Sequence, residues 1–357
     1  MTSEGTGLYL QRVGDTTDAV EALVARSGGR VGLEDLLGDL PRRLRRSWAP
    51  GRAVHEAWRL DPRDQLDLRW WPQGVTTAAD AGLADTRGRR LVVTSSYAKK
   101  LPWDDGGHGS RITVMDLDAL RYRHVLLVRP TPDGGLEPLH VHAGGIVWHG
   151  EHLHVAATGK GMFTFRTADL LRVRTRDAAY GYRYVLPARW QYRAHKDDAV
   201  DGLKGFRYSF ASLDRGTDPP ALLAGEYTND PTRTRRLARF AVDGTTGLLE
   251  TGPDERSVLQ HLGDGPLRMQ GAVNARGRLH VTVSQGRRTR GSVYAGTPDD
   301  LVHHPRATPM GNEDIAYWPE EDLLYSVSEH PTARWLFTMR RTWFDQAVDQ
   351  AVDQAVG

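Results

Sequence analysis

The chain has no cysteine in its 357 residues. That absence excludes a disulfide framework, Cys-ligated zinc or iron–sulfur centres, and thiol catalysis. Lysine is scarce too: of 47 basic side chains only Lys99, Lys100, Lys160, Lys196 and Lys204 are lysines, a bias that points to GC-rich coding rather than to chemistry. Charge of one sign is not in excess. A formal net charge of +2 is too small to make nucleic acid the main partner. No window of 18 apolar residues exists, so no transmembrane helix and no membrane partner are expected. The first residues, MTSEGTGLYLQRVGD, carry neither a basic n-region nor an apolar h-region. The expectation is a cytoplasmic chain.

Residues 1–52 read as a helical extension. Apolar residues recur at helical spacing over Thr17 to Arg26 (Val20, Leu23, Val24) and over Leu33 to Trp48 (Leu36, Leu37, Leu40, Leu44), with Gly28-Gly29 as a stop between them. Arg42, Arg43, Arg45 and Arg46 form a basic run that suits a solvated helix face or a phosphate or membrane contact. From about residue 53 the period changes to two. Short runs such as RRLVVTSSY, SRITVMDL, GGIVWHG, RLHVTVS and DLLYSVS alternate with Gly, Asp and Pro turns, and almost no helix lies between them. Strands at this density indicate a sandwich, a barrel or a propeller.

Internal repetition decides among these. PQGVTTAADAG…RRLVVTSSY, HAGGIVWHGEHLHVAATG, RYSFASLDRG…ALLAGEY, MQGAVNARGRLHVTVSQG and GNEDIAYWPEEDLLYSVSE share one plan of strand, tight turn and strand, and a third strand follows each. A repeat of roughly 50–70 residues is the size of a four-stranded blade. The reading is an all-β fold: a five-bladed β-propeller over 53–342, an N-terminal helical extension, and a short low-complexity tail at 343–357. The last unit has three strands, so AVHEAWRL (Ala53 to Leu60) is expected to supply its fourth and so hide an open sheet edge. The DQAVDQAVDQAVG tail reads as a weakly amphipathic, frayed extension.

In these repeats the sequence resembles an actinobacterial family of propeller-like proteins described as secreted and of unknown function. WPQGVTTAADAG, HAGGIVWHGEHLHVAATGKGMFTF, MQGAV and EDIAYWPEEDLLYSVSEHP carry the likeness over about residues 70–340. The resemblance implies the propeller fold and no particular chemistry. The missing export signal leaves room for an intracellular role, such as a step in specialised metabolism. The layout is more distantly similar to lactonase and strictosidine-synthase propellers, whose site motifs have no residue-by-residue match here.

In a propeller, the start of each innermost strand and the loop after each second strand converge on one bowl. Those positions hold Gln73, His142, Tyr208, Arg268, Gln270, Asn312 and Glu313 in one ring, and Tyr97, Lys160, Glu226, Tyr227, Gln285, Glu329 and His330 in the other. A concave site with convergent polar groups is the default ligand site. His142 and Glu313 are the candidate acid–base residues, because imidazole titrates near neutrality and a sheltered Glu can be raised toward it. Arg268 is the candidate anchor for a carboxylate or for developing negative charge. Gln73, Tyr97, Tyr208, Glu226, Gln270, Glu329 and Trp190 are candidate substrate contacts. Trp190 belongs to WQYRAHKDD, read as a connection before the third blade and the best candidate for a lid. Alternatively, these groups satisfy one another and plug the channel.

No metal site and no cofactor are expected. His140-x-His142 on a strand would place two imidazoles about 7 Å apart, but His152 and His154 begin a strand at the opposite end of the turn, too far away to share an ion. Gly106-Gly107-His108-Gly109 lacks a phosphate-loop Lys, and Ser95 and Ser96 lie outside any Gly-x-Ser-x-Gly elbow. Three functions remain open: a cofactor-independent acid–base enzyme (cyclase, isomerase, lyase or hydrolase) on a small molecule, a non-catalytic glycan- or metabolite-binding propeller, and a protein-interaction platform. A monomer or weak homo-oligomer is expected.

Overall fold

The computed structural model describes residues 6–82, 88–104 and 106–345. Most of the DQAV tail, residues 346–357, therefore lies outside the described residues. Among those described, helix is confined to short segments, the longest being Thr17–Ser27. No helix among them is long and apolar enough to cross a membrane.

The period-two runs form antiparallel quartets. Trp70–Thr77, Leu91–Ala98, Ser110–Asp116 and Arg121–Pro130 make the first. Gly145–His149, His152–Ala156, Met162–Arg166 and Tyr184–Lys196 make the second. Phe210–Asp214, Ala221–Gly225, Arg236–Phe240 and Gln260–Asp264 follow, then Met269–Ala275, Arg278–Val283, Gly291–Thr297 and Asp300–Thr308. Asn312–Trp318, Leu323–Ser328 and Trp335–Arg340 complete the chain order, and Val54–Arg59 pairs antiparallel with Trp335–Arg340, Leu336 facing Trp58. That last pairing joins the beginning of the sheet-forming chain to its end.

The first strand of each quartet packs against the first strand of the next, and Asn312–Trp318 returns to Trp70–Thr77. Glycine permits this closeness. A Cβ on Gly74 would lie 2.6 Å from the Ile146 nitrogen, and one on Gly271 would lie 2.6 Å from the Asp314 Cα. An apolar layer fills each gap between consecutive sheets. Val93, Ile112 and Val125 meet Ile146, Trp148 and Phe165; Val147 and Tyr192 meet Leu213 and Phe240; Leu223 and Leu237 meet Val281; Val293 meets Phe337; Trp58 and Tyr325 meet Val92 and Tyr122. Burial at about 25 cal/mol per Å² of apolar surface makes these layers the main source of stability. The fold is all-β and propeller-like.

The N-terminal region departs from the sequence reading. Thr17–Ser27 is helical and stops at left-handed Gly28, while Val20, Leu23 and Val24 pack on Leu126, Val128 and Val185. The second helix is only Leu33–Leu37. Gly38 and Pro41 end it, and the arginine run lies across two sheet edges, Arg42–Arg43 on Arg121 and Tyr122, Arg45–Arg46 on Trp58 and Arg59. Leu8–Val13, expected in a helical extension, is a strand on Tyr184–Lys196 and on Arg256–Val258. Its alternating Leu8 and Leu10 are buried.

Tyr184–Lys196 also corrects the lid expectation. Its first part runs parallel to Arg121–Pro130, fusing the first two quartets into one sheet, and its second part pairs with Met162–Arg166. WQYRAHK is thus an outer strand, and Trp190 sits opposite Thr164 with its ring edge-on to His152.

Candidate functional site

The starts of the innermost strands and the loops after the second strands enclose a cavity of about 500 Å³. Gln73, His142, Gln270, Glu313 and Glu329, all named from sequence, line it. Tyr97 joins them through its ring, 4.4 Å from that of His142. His142 lies in the loop ahead of Gly145–His149 rather than on that strand, as does His140. It keeps solvent contact within the cavity, and the surrounding protein lowers its pKa, so the ring is neutral at pH 7.

Two carboxyls dominate the electrostatics. Glu313 is 3% exposed and accepts one hydrogen bond, from Gln270 Nε2 at 3.2 Å. Burial, then the charges of Glu329 and Asp314, push its pKa well above the ordinary Glu range. Glu329 accepts from Gln73 Nε2 at 3.0 Å and lies 3.5 Å from His330 Nδ1. Burial pushes Glu329 up to about 7, against the Gln73 hydrogen bond and the charges of Lys99, Arg334 and Arg287. Burial therefore favours the protonated form of both carboxyls, and Glu329 titrates near neutrality. Burial and the two glutamate charges push Tyr97 up to about 12. Burial, then Arg287, brings His330 down to about 4. Deeper still, Asp314 is fully buried, accepts from the Val75 amide at 3.3 Å, and is also raised by burial.

Side-chain parity explains which neighbouring residues reach the cavity. Arg207 and Ser209 line it, whereas Tyr208 between them turns into the core against Phe206 and Phe240. Tyr227 lines it, whereas Glu226 is buried and bound by Arg236, with Nε and Nη2 each 2.9 Å away and both the Arg207 and Arg236 amides donating at 3.1 Å. Glu226 thus pins the base of a loop. Arg268 does not line the cavity. Its backbone adopts φ 63°, its amide donates to the Thr228 carbonyl, and its charge acts on Tyr227 from outside. Trp190 lies apart on its outer strand. Arg207, Arg233, Asn229, Thr158 and Thr228 are lining groups that sequence reasoning did not single out. The polar TND after Tyr227 was the available signal for Thr228 and Asn229.

The arrangement combines a carboxyl pushed toward its protonated form, a second that titrates near neutrality, amide and hydroxyl groups, and two aromatic rings in one concavity. Among the described residues, no three or more His, Asp or Glu side chains are grouped to hold a metal ion. His154 is engaged with Thr164 and the Gly247 carbonyl, and Ser95 donates to the Ala143 carbonyl in the loop ahead of the Gly145–His149 strand.

No family model matches the chain. No curated protein matches it either. Among solved structures, it is similar to a gluconolactonase from Xanthomonas campestris (11% identity, 84% of this chain and 98% of that one, TM-score 0.40). It is also similar to a GH43_1 enzyme from Xanthomonas citri (9%, 90% and 92%, TM-score 0.39). A third likeness is to the Cps50 (Swd1) β-propeller domain of Myceliophteria thermophila (8%, 84% and 99%, TM-score 0.34).

Proposed function

We propose that the protein is a five-bladed propeller whose central cavity binds a hydroxyl-bearing small molecule and transforms it by acid–base chemistry without a cofactor. The closed sequence of innermost strands supports the blade count. The observation that carries the functional reading is the Glu313–Glu329 pair: two sheltered carboxyls, no cation among the described residues within ion-pair distance of Glu313, and an open cavity beside them. Paired titratable groups whose environments separate their roles are how one site supplies both acid and base at neutral pH. Glu313 is the proton donor and Glu329 the acceptor. Gln73 and Gln270 each donate one amide proton to these carboxyls, which leaves their carbonyls free for ligand hydroxyls. Tyr97, Tyr227 and His142 offer ring faces, and Arg207 or Arg233 takes over the anchoring role first assigned to Arg268.

The test is a panel of uncharged glycosides and lactones, screened first for binding by ligand-observed NMR and then for turnover. One class should be turned over by the wild type, with Glu313→Gln slowing it by about 10²–10⁴ and leaving the melting temperature nearly unchanged. His142→Ala should weaken binding. Binding without turnover of any bound class would favour a non-catalytic binding propeller. Undiminished turnover in Glu313→Gln would refute the assignment.

A further inference from the structure

A second cavity, of about 620 Å³, shares no lining residue with the first. Four separate segments meet there: the edge strand at Arg42, the short helix Pro62–Leu66, the paired strands carrying Arg111 and His124, and the loop from Arg176 to Arg183. Six of its lining residues are arginines, against three aspartates and no lysine.

Asp64 organises the floor. It accepts from Arg42 Nη1 at 2.9 Å, from the Tyr122 hydroxyl and from His124 Nε2 at 3.1 Å. Burial alone would raise its pKa, but His124, the nearby Arg111 charge and the Tyr122 hydrogen bond hold it well below the usual carboxylate range. Burial brings His124 down to about 4, so its ring is neutral, bonded to Thr113 at Nδ1 and to Asp64 at Nε2. The floor is fixed before any ligand arrives.

Arg111 is the anomaly. Only 6% exposed, it lies over the Trp70 ring at 4.3 Å. Its Nε has no partner, its Nη1 makes one long bond of 3.4 Å to the Tyr182 hydroxyl, and Asp64 stands 3.7 Å away, beyond hydrogen-bond reach. A guanidinium has five N–H donors, and a buried donor left unpaired is costly. Arg123 and Arg183 are held by Asp39. Arg63 and Arg176 are exposed at the rim, where no side-chain ion pair with any described residue engages either.

We propose that this cavity is a binding site for a phosphate-bearing small molecule, with the phosphate held by Arg111 at the floor and Arg63 and Arg176 at the rim. The donor set is what selects the ligand. Rigid planar forks match the oxygens of phosphate bidentately, whereas lysine ammonium would act only as point charges. The volume leaves room for an organic group beyond the phosphate, beside Trp70 and Tyr182.

Titration calorimetry of the full chain with inorganic pyrophosphate, and in parallel with citrate, tests this. Pyrophosphate should bind saturably at one site per chain, and citrate at least tenfold more weakly. The double variant Arg63→Gln/Arg176→Gln alters only exposed side chains, so it should melt like the wild type and bind pyrophosphate about ten- to a hundredfold more weakly. Arg111→Gln should abolish binding; should it not fold, the rim variant alone decides. Glu313→Gln should leave pyrophosphate affinity unchanged, which separates this site from the central cavity. Absence of saturable binding, equal affinity for citrate, or full affinity in the rim variant would overturn the assignment.

Discussion

Glu329→Gln isolates the electrostatics of the central cavity in a stability measurement that needs no known substrate. The folded carboxyl is raised from 4.5 to about 7, and each pH unit corresponds to 1.36 kcal/mol. The side chain is 17% exposed, so solvent screening does not erase the effect. A folded pKa above the unfolded one means that stability is fully present below about 4.5 and is lost as pH rises through about 7. The wild type should therefore lose roughly 3 kcal/mol relative to Glu329→Gln between pH 4 and pH 8. For a chain of this length that is about 4 °C in melting temperature. The glutamine keeps an acceptor for Gln73, so its curve should be flatter and cross that of the wild type. Because the Glu329 charge helps to raise Glu313, the variant should also lower the pKa of Glu313. Denaturant titrations at half-unit pH steps measure the difference. Parallel curves for the two proteins would show that Glu329 is not raised by its surroundings.

Two further outcomes test the scaffold. Trp58→Ala removes a fully buried ring from the strand that joins the first and last parts of the sheet-forming chain; it should cost about 3–5 kcal/mol, and a loss below 1 kcal/mol in urea would show that this closure contributes little. Arg236→Ala strands Glu226, whose side chain is wholly buried; the expected loss is about 3–5 kcal/mol, with partial recovery on adding Glu226→Gln, and no recovery would mean that the charge is not what destabilises.

Much of the strand content was legible because each half-buried strand repeats its apolar residues every second position, as in RLHVTVS and DLLYSVS. The same alternation was present in LYLQRV, but neighbouring helical spacing drew that segment into a helical extension. Leu33 to Trp48 misled because its leucine spacing suits a helix while Gly38 and Pro41 forbid one of that length. WQYRAHK resembles a connection because it is polar and follows Pro187. It is a strand because two sheets share it, a tertiary fact without local trace. At the site, ring position alone brought Gln73, His142, Gln270, Glu313 and Glu329 together. A one-residue error of parity separates Tyr208 from Arg207 and Ser209, and of the adjacent Glu226 and Tyr227, both placed in the ring, only Tyr227 reaches the cavity. The arginine cavity was illegible, since Asp64 and His124 are 60 positions apart and meet only through folding.

The proposed role of Glu313 as proton donor depends on the proton it carries, and infrared difference spectroscopy reads that proton directly. At pH 7, the wild-type spectrum minus that of Glu313→Gln cancels every carboxyl that the substitution leaves unperturbed, and the Glu313→Gln/Glu329→Gln double variant against Glu329→Gln removes the contribution of the coupled Glu329. A positive C=O stretch of a protonated carboxylic acid is expected in that difference. A difference spectrum at pH 7 containing only carboxylate bands would contradict it, and Glu313 could not then serve as the proton donor.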